Sequence, residues 1–235
     1  MVRSCPPGRG HHEDDGVPGL RGCFGPDERP RRAPVDSTGM LLGIMSDVHC
    51  NAVAMRHALD ELRGTVDEVL LAGDAVLQYR FSNEVIELVR EHDITYVVGN
   101  HEMTLLSNDG VRARSAAHVR ARNVEFMAAA PRQRELRHSG KRILMTHASP
   151  YAPFDEYVYP GSPQLARCAE VDADIVVLGH THMPMATRVG TTLVVNPGSL
   201  GQGGEPGQPG MVSYAVLDTD SEEVTIHRFK NPQFA

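Results

Sequence analysis

No stretch of this 235-residue chain stays apolar long enough to cross a bilayer, and no positively charged start leads into an apolar signal region. A cytoplasmic protein with no membrane partner is therefore the expectation. Cysteine is scarce: Cys5 and Cys23 fall early, Cys50 and Cys168 later, and the four form neither a metal-like pair nor a small-domain disulfide framework. Reduced thiols follow. Positive charge is also in deficit. With 23 Lys and Arg against 30 Asp and Glu, the net charge of −7 argues against broad, nonspecific nucleic-acid binding. Bound cations can still create a local positive centre in an acidic protein. No internal repeat is expected.

What is present suffices for one substantial core, since 41% of the residues are apolar. Composition sets residues 1–39 apart, with Pro and Gly at 13 positions and six Arg balanced by six acidic residues. No apolar period runs through them, so they read as a disordered Pro/Gly-rich tail. Within it, His11-His12 beside Glu13-Asp14-Asp15 reads as a solvated loop rather than a metal site. Met40 stands directly before the first apolar run, which makes residues 40–235 the expected domain and Met40 its expected functional start.

From Met40 onward, short apolar runs alternate with helical periods. Buried strands are expected from Leu41 to Met45, Val69 to Ala72, Ile94 to Val98, Ile143 to Met145 and Ile175 to Leu178. Helices are expected from Asn51 to Arg63, with Val53, Met55, Ala58, Leu59 and Leu62 at helical spacing, and from the N-cap Ser82 to His92, with Val85, Ile86, Leu88 and Val89 inward. Between Met103 and Gly140 the pattern loosens into Arg-rich helical segments broken by Pro131, and a short helix fits Pro163 to Glu170. The chain ends in strand-like runs from Thr192 to Val195, Val212 to Leu217 and Glu223 to Phe229. Parallel βα units followed by successive strands predict an α/β fold of two packed sheets flanked by helices.

Five short segments close the first five apolar runs: Asp47-Val48-His49, Gly73-Asp74, Gly99-Asn100-His101-Glu102, Thr146-His147 and Gly179-His180-Thr181-His182. In open α/β sheets, ligands bind just beyond the carboxyl ends of the strands. One rim thus collects two Asp, one Asn and five His. Side chains two apart on an extended segment point the same way, so Asp47 and His49 are expected to converge on one ion, and likewise His180 and His182. The Asp74 carboxylate can place an oxygen on each of two neighbouring cations, while Asn100 contributes a neutral amide oxygen. Mixed carboxylate, amide and imidazole donors suit Mn²⁺, Fe, Zn²⁺ or Ni²⁺, and without thiolates a purely structural zinc site is disfavoured. Singly, Asp-x-His and Gly-Asp are common turn sequences. Their ordered recurrence at five strand ends is what points to a two-metal centre.

That ordered set resembles the calcineurin-like metallophosphoesterase superfamily over essentially residues 41–230, and its compact form resembles the small bacterial phosphodiesterases. His147-Ala148-Ser149-Pro150, similar to the family's His-Gly-Ser-Pro, Asn196-Pro197-Gly198-Ser199 and the stretch from Met211 to Asp218 support the likeness. The resemblance implies a four-layer αββα sandwich of two mixed sheets flanked by helices. It assigns one metal to Asp47, His49 and His182 and the other to Asn100, His147 and His180, with Asp74 bridging. It implies two divalent ions, Mn²⁺ ahead of Fe, Zn²⁺ or Ni²⁺, that activate a shared water for phosphodiester hydrolysis. His101 is the candidate general acid on the leaving oxygen, and Glu102 is expected to orient a neighbour rather than bind metal. The implied substrate is a small phosphate ester; a homo-oligomer is left open.

The departures narrow this. Cys50 stands where the family commonly has Gly, and is expected to be a passive small side chain rather than a soft ligand or redox switch. Ala75-Val76-Leu77-Gln78-Tyr79-Arg80 lacks the Gly-Asp-x-Val-Asp-Arg-Gly of the protein Ser/Thr phosphatases and the Gly-Tyr-Gly-Pro-like run of the small phosphodiesterases. Arg80, Arg112, Arg114, Arg120 and Arg122 read as solvated rather than substrate-facing, and His57, His92, His118, His138 and His227 as packing or surface histidines. The run from Gly201 to Gly210 is either a mobile loop over the site or a plain connection. The alternatives are a phosphomonoesterase, a dinucleoside polyphosphate hydrolase, or a non-catalytic metal-binding interaction module such as the retromer subunit that resembles this family. A metallo-β-lactamase-type hydrolase is disfavoured because no His-x-His-x-Asp-His run exists.

Overall fold

The computed structural model describes residues 39–234; the expected tail, Gly39 apart, lies outside them. Strand β1 (Leu41–Met45) leads into helix α1 (Ala52–Leu62), β2 (Glu68–Ala72), α2 (Asn83–Glu91) and β3 (Thr95–Val97). Three helices follow, α3 (Asn100–Leu106), α4 (Val111–Arg114) and α5 (Ala121–Ala129), then β4 (Gln133–His138) and β5 (Lys141–Thr146). Helix α6 (Pro163–Arg167) precedes β6 (Ile175–Val177), β7 (Met185–Val189), β8 (Thr192–Asn196), β9 (Met211–Asp218) and β10 (Val224–Lys230).

The strands form two five-stranded mixed sheets, ordered β10-β9-β1-β2-β3 and β4-β5-β6-β8-β7. Within them β1, β2 and β3 run parallel, as do β5, β6 and β8, while the remaining pairings are antiparallel. Strand alternation then builds the layers. Leu42, Ile44, Leu70 and Val97 of the first sheet pack on Ile143, Met145, Ile175 and Val177 of the second. Leu71 and Tyr96 face the other way, against Met55, Leu59, Ile86, Val89 and Met127 of α1, α2 and α5. On the far side, Val176, Leu178 and Val194 meet Leu165 and Cys168 at α6. The result is the expected αββα sandwich.

Local chemistry explains the boundaries. The Asn51 side chain accepts from Ala54 N–H and caps α1, and Ser82 accepts from Val85 N–H and caps α2. Gly64, at φ 72°, supplies the left-handed residue beyond α1. Val85, Ile86, Leu88 and Val89 are buried as expected. Val53 is not: it is 52% exposed, and Ala52 and Ala54 face the core instead. The helical reading also missed β4, whose Gln-Arg-Glu-Leu-Arg-His sequence carries no apolar alternation. Its register comes from pairing with β5, and its charges suit an edge strand. The short edge strand β7 was missed as well.

Candidate metal centre

All five segments stand where parallel strands end. Asp47 and His49 follow β1, Asp74 follows β2, Asn100 and His101 open α3 just after β3, His147 follows β5, and His180 and His182 follow β6. Convergence does not come from extended backbone, however. Asp47 (φ 52°), His49 (49°), Asp74 (52°), His180 (69°) and His182 (57°) all adopt left-handed conformations. Asp and His enter this region more readily than bulky residues, yet five such positions at one rim are concentrated strain. Each turn is pinned by backbone bonds: Asp47 N–H donates to Gly73 O at 3.1 Å, His49 N–H to Asp74 O at 3.0 Å, and Gly179 N–H to His147 O at 2.9 Å.

The side chains gather into overlapping sets. Donor atoms of Asp47, His49 and His182 lie within 4.8 Å of one another, as do those of Asp74, His147 and His180, and those of His49, Asp74 and His101. Asp74 is thus shared by the last two sets, and His49 links them to the first. His49 Nε2 approaches His182 Nε2 to 3.0 Å, and His147 Nε2 lies 3.0 Å from Asn100 Oδ1 and 3.2 Å from Asp74 Oδ2. Asp47 Oδ1 is buried and makes no hydrogen bond. Its neighbours are instead three imidazole Nε2 atoms, of His182 at 3.2 Å, His49 at 3.7 Å and His147 at 3.9 Å.

Electrostatics carry the same imprint. Burial is the largest influence and opposes charge on Asp47 and Asp74, but the surrounding imidazoles, His147 foremost, together outweigh it and hold both carboxyls below their ordinary range. Burial likewise opposes a proton on His147, yet the two carboxylates push it up to about 10. His180 moves the other way, down to about 4, through burial and its charged neighbour His147. Burial also lowers His49. A proton on His147 therefore stands where a cation would balance the paired carboxylates.

A second ring of groups fixes these donors. His147 Nδ1 bonds Ala72 O at 2.8 Å, which puts its proton on Nδ1 and leaves Nε2 facing the cluster. Asp47 Oδ2 accepts from Ser46 Oγ at 2.7 Å and from His180 N–H at 2.9 Å. Glu102 is fully buried; its carboxylate takes the backbone N–H groups of Asp74, Gly99 and Val76 at 2.9, 2.7 and 2.9 Å, tying the β2 and β3 ends together. Burial and the Asp74 charge nevertheless raise it to about 7. His101 accepts from Gln78 N–H at Nδ1, 3.1 Å, and its Nε2 lies 3.7 Å from Asp74 Oδ2. Two glycines are sterically required: a Cβ on Gly179 would strike Ser46 Oγ, and one on Gly99 would strike Asp74 Oδ1.

Sequence reasoning had assigned no role to Ser46, Asn196 or Ser199. Asn196 Nδ2 donates to Gly179 O at 2.7 Å and Thr181 Oγ1 at 3.1 Å, and Ser199 Oγ donates to Asp47 O at 2.8 Å. Small polar residues at buried strand ends were the available signal. The run from Gly201 adjoins the site from behind, with Gly204 N–H on His182 O at 3.1 Å. Cys50 Sγ donates to Arg80 O at 3.2 Å, and burial pushes its thiol up to about 11, the profile of an inert thiol. Cys168 is likewise free and buried. Arg120 and Arg122 pair with Glu87 on α2, and Arg114 Nη1 donates to Leu105 O at 2.7 Å. His57 lies on Phe229, His138 meets Glu68, and His227 stacks on Tyr214. A cavity of about 600 Å³ opens beside the opposite ends of β2 and β3, lined by residues such as Leu59, Val66, Glu68 and Thr95.

A family model for the calcineurin-like phosphoesterase superfamily domain matches residues 40–222. Among solved structures, a metallophosphoesterase from Sphaerobacter thermophilus aligns with TM-score 0.64 and 28% identity, over 82% of this chain and 88% of that one. An archaeal phosphodiesterase aligns with TM-score 0.54 and 22% identity, over 81% and 100% of the two chains. Vps29 from Entamoeba histolytica, solved with Zn²⁺, aligns with TM-score 0.51 and 20% identity, over 82% and 99%. No helix among the described residues is long and apolar enough to cross a membrane.

Proposed function

The chain belongs to the calcineurin-like phosphoesterase superfamily, and we propose that it is a phosphodiesterase working with two divalent cations. The observation that carries this is the Asp47 carboxylate, buried, without a hydrogen bond on Oδ1, and surrounded by three imidazole nitrogens. A cation suits this nest, because each imidazole Nε2 becomes an acceptor once it gives up its proton. The donor chemistry fits: Asp47, His49 and His182 would hold one ion, Asn100, His147 and His180 the other, and Asp74 would be shared. Mn²⁺ is the first candidate, with Fe, Zn²⁺ and Ni²⁺ behind it. When bound, such ions lower the pKa of a water between them and neutralise phosphoryl charge.

The chain's own groups supply the rest. With its Nδ1 proton held on Ala72 O, His147 would offer Nε2 to a cation that displaces the Nε2 proton, and His182 and His180 are fixed by the turn that Asn196 braces. His101 gives its Nε2 proton to the leaving oxygen, oriented by the Gln78 N–H on Nδ1. Glu102 acts through Asp74, holding the backbone of both neighbouring loops. A cleft beside Asn100, His147 and His180 leaves room for the second ester arm of a diester. The archaeal phosphodiesterase of the same fold is consistent with that preference. The presence of His101 together with all seven donors favours an enzyme over an interaction module.

Hydrolysis of bis(p-nitrophenyl) phosphate by metal-stripped protein, with and without Mn²⁺, tests the proposal. Metal-dependent turnover is expected. No turnover with any of the four metals, despite two tightly bound ions, would overturn it in favour of a binding role.

A further inference from the structure

The cleft beside the cluster measures about 240 Å³. Asn100, His147 and His180 line it on one side, and Val98, Met103 and Phe154 supply apolar lining. Met103 and Phe154 are left 39% and 40% exposed. Phe154 also sits at φ 69°, an outlying conformation for an aromatic residue, in a turn closed by its N–H on Tyr151 O at 2.8 Å. Observed strain on an exposed ring beside a proposed reaction centre points to a contact that the folded chain alone does not make.

The aromatic surface continues beyond Phe154. Tyr157 stacks on the His180 ring, with centroids 3.9 Å apart and planes at 22°, and Tyr159 stacks on Tyr157. The exposed aromatics among the described residues are Tyr79, Phe154, Tyr157 and Tyr159, so three of the four fall in one six-residue segment. Arg132 and Asp155, both exposed, add a hydrogen-bond donor and an acceptor to the cleft lining.

We propose that this cleft takes the nucleobase of a nucleotide phosphodiester, with Phe154 as the specificity-determining residue; this rests on the phosphodiesterase reading above. A drug-sized ligand fills roughly 300–1,000 Å³, so about 240 Å³ accepts one planar ring system rather than a whole nucleotide. A nucleobase offers π-faces to Phe154 and a polar edge to Arg132 and Asp155. Its phosphate, one ribose away, reaches the proposed metal ligands that share the lining. A long acyl chain would need a deeper apolar channel, and a sugar alone would not use exposed aromatic faces so fully.

The test uses two diesters with the same leaving group, thymidine 5′-(p-nitrophenyl phosphate) and methyl p-nitrophenyl phosphate, on Mn²⁺-loaded protein. The wild type should favour the thymidine ester in kcat/KM by about tenfold or more, the scale of one base–aromatic stack. Phe154→Ala should bring that ratio toward one, and Phe154→Tyr should restore it. In parallel, calorimetry compares adenosine 5′-monophosphate with ribose 5-phosphate: the wild type should bind the nucleotide about tenfold more tightly, and Phe154→Ala about equally. A wild-type ratio near one, or a preference that survives Phe154→Ala, overturns the inference. If neither diester is hydrolysed, the phosphodiesterase reading falls and the calorimetric comparison alone decides this one.

Discussion

The two sheets bring opposite chemistry to their shared rim. The first, through the turns after β1, β2 and β3, supplies both carboxylates, the amide of Asn100 and the imidazoles of His49 and His101. The second, through the turns after β5 and β6, supplies only the imidazoles of His147, His180 and His182. Across the seam these halves are tied directly, His180 N–H to Asp47 Oδ2 at 2.9 Å and His147 Nε2 to Asp74 Oδ2 at 3.2 Å. Below it, the apolar layer of Ile44, Leu70, Ile143, Ile175 and their neighbours fixes the spacing. Neither half alone combines negative charge with enough neutral donors. The proposed site depends on the apolar interface that sets the two rims against each other.

Asp74→Asn breaks that division most directly, since Asp74 belongs to two of the three donor sets, one with His49 and His101 and one with His147 and His180. Turnover of bis(p-nitrophenyl) phosphate should fall about 10³-fold, the scale of losing a key electrostatic group. Elemental analysis should show metal content dropping below that of the wild type. Unchanged content and rate would remove the bridging role. His101→Ala is next: turnover should fall about 10²-fold while metal content stays at the wild-type level. A parallel loss of metal would make His101 a ligand instead.

Ser46→Ala probes support within the first half alone. Removing the hydroxyl that donates to Asp47 Oδ2 should weaken metal binding about tenfold in a chelator competition. The mildest case contrasts buried rim charge with exposed charge. Arg120 and Arg122 hold Glu87 down to about 2, against 4.5 unperturbed. Because the folded value is the lower one, this pairing stabilises the fold above about pH 4.5 and fades as pH falls toward 2. Glu87→Gln should therefore be slightly less stable than the wild type near pH 6 and equal to it near pH 2, with the gap shrinking in salt. A gap independent of pH would point to packing rather than charge.

Much of this was legible because donor residues and strand ends coincide: an apolar run that stops at Asp, Asn or His marks both. The strands from Leu41 and Ile175 and the caps Asn51 and Ser82 were visible for the same local reasons. The mode of convergence was not. Asp-x-His suggests an extended pair, whereas positive φ at Asp47 and His49 turns the chain instead, and the hydrogen bonds enforcing it come from β2's loop. β4 eluded the pattern because its only apolar residue is Leu136, so pairing with β5 decides its state. Phe154, too, carries no local signal; its importance appears only once the segment after β5 lies beside Asn100.

The left-handed turns have a consequence for how this chain tolerates change. Five non-glycine residues held at positive φ store on the order of 5 kcal/mol at ~1 kcal/mol each, comparable to the lower end of a domain's whole stability. At each, glycine would relax the backbone. That relief would be offset at Asp47, whose carboxylate accepts from Ser46 Oγ and His180 N–H, and at Asp74, which accepts from His101 N–H. The joint presence of the five is strain that folding alone does not require and that the proposed metal centre would account for.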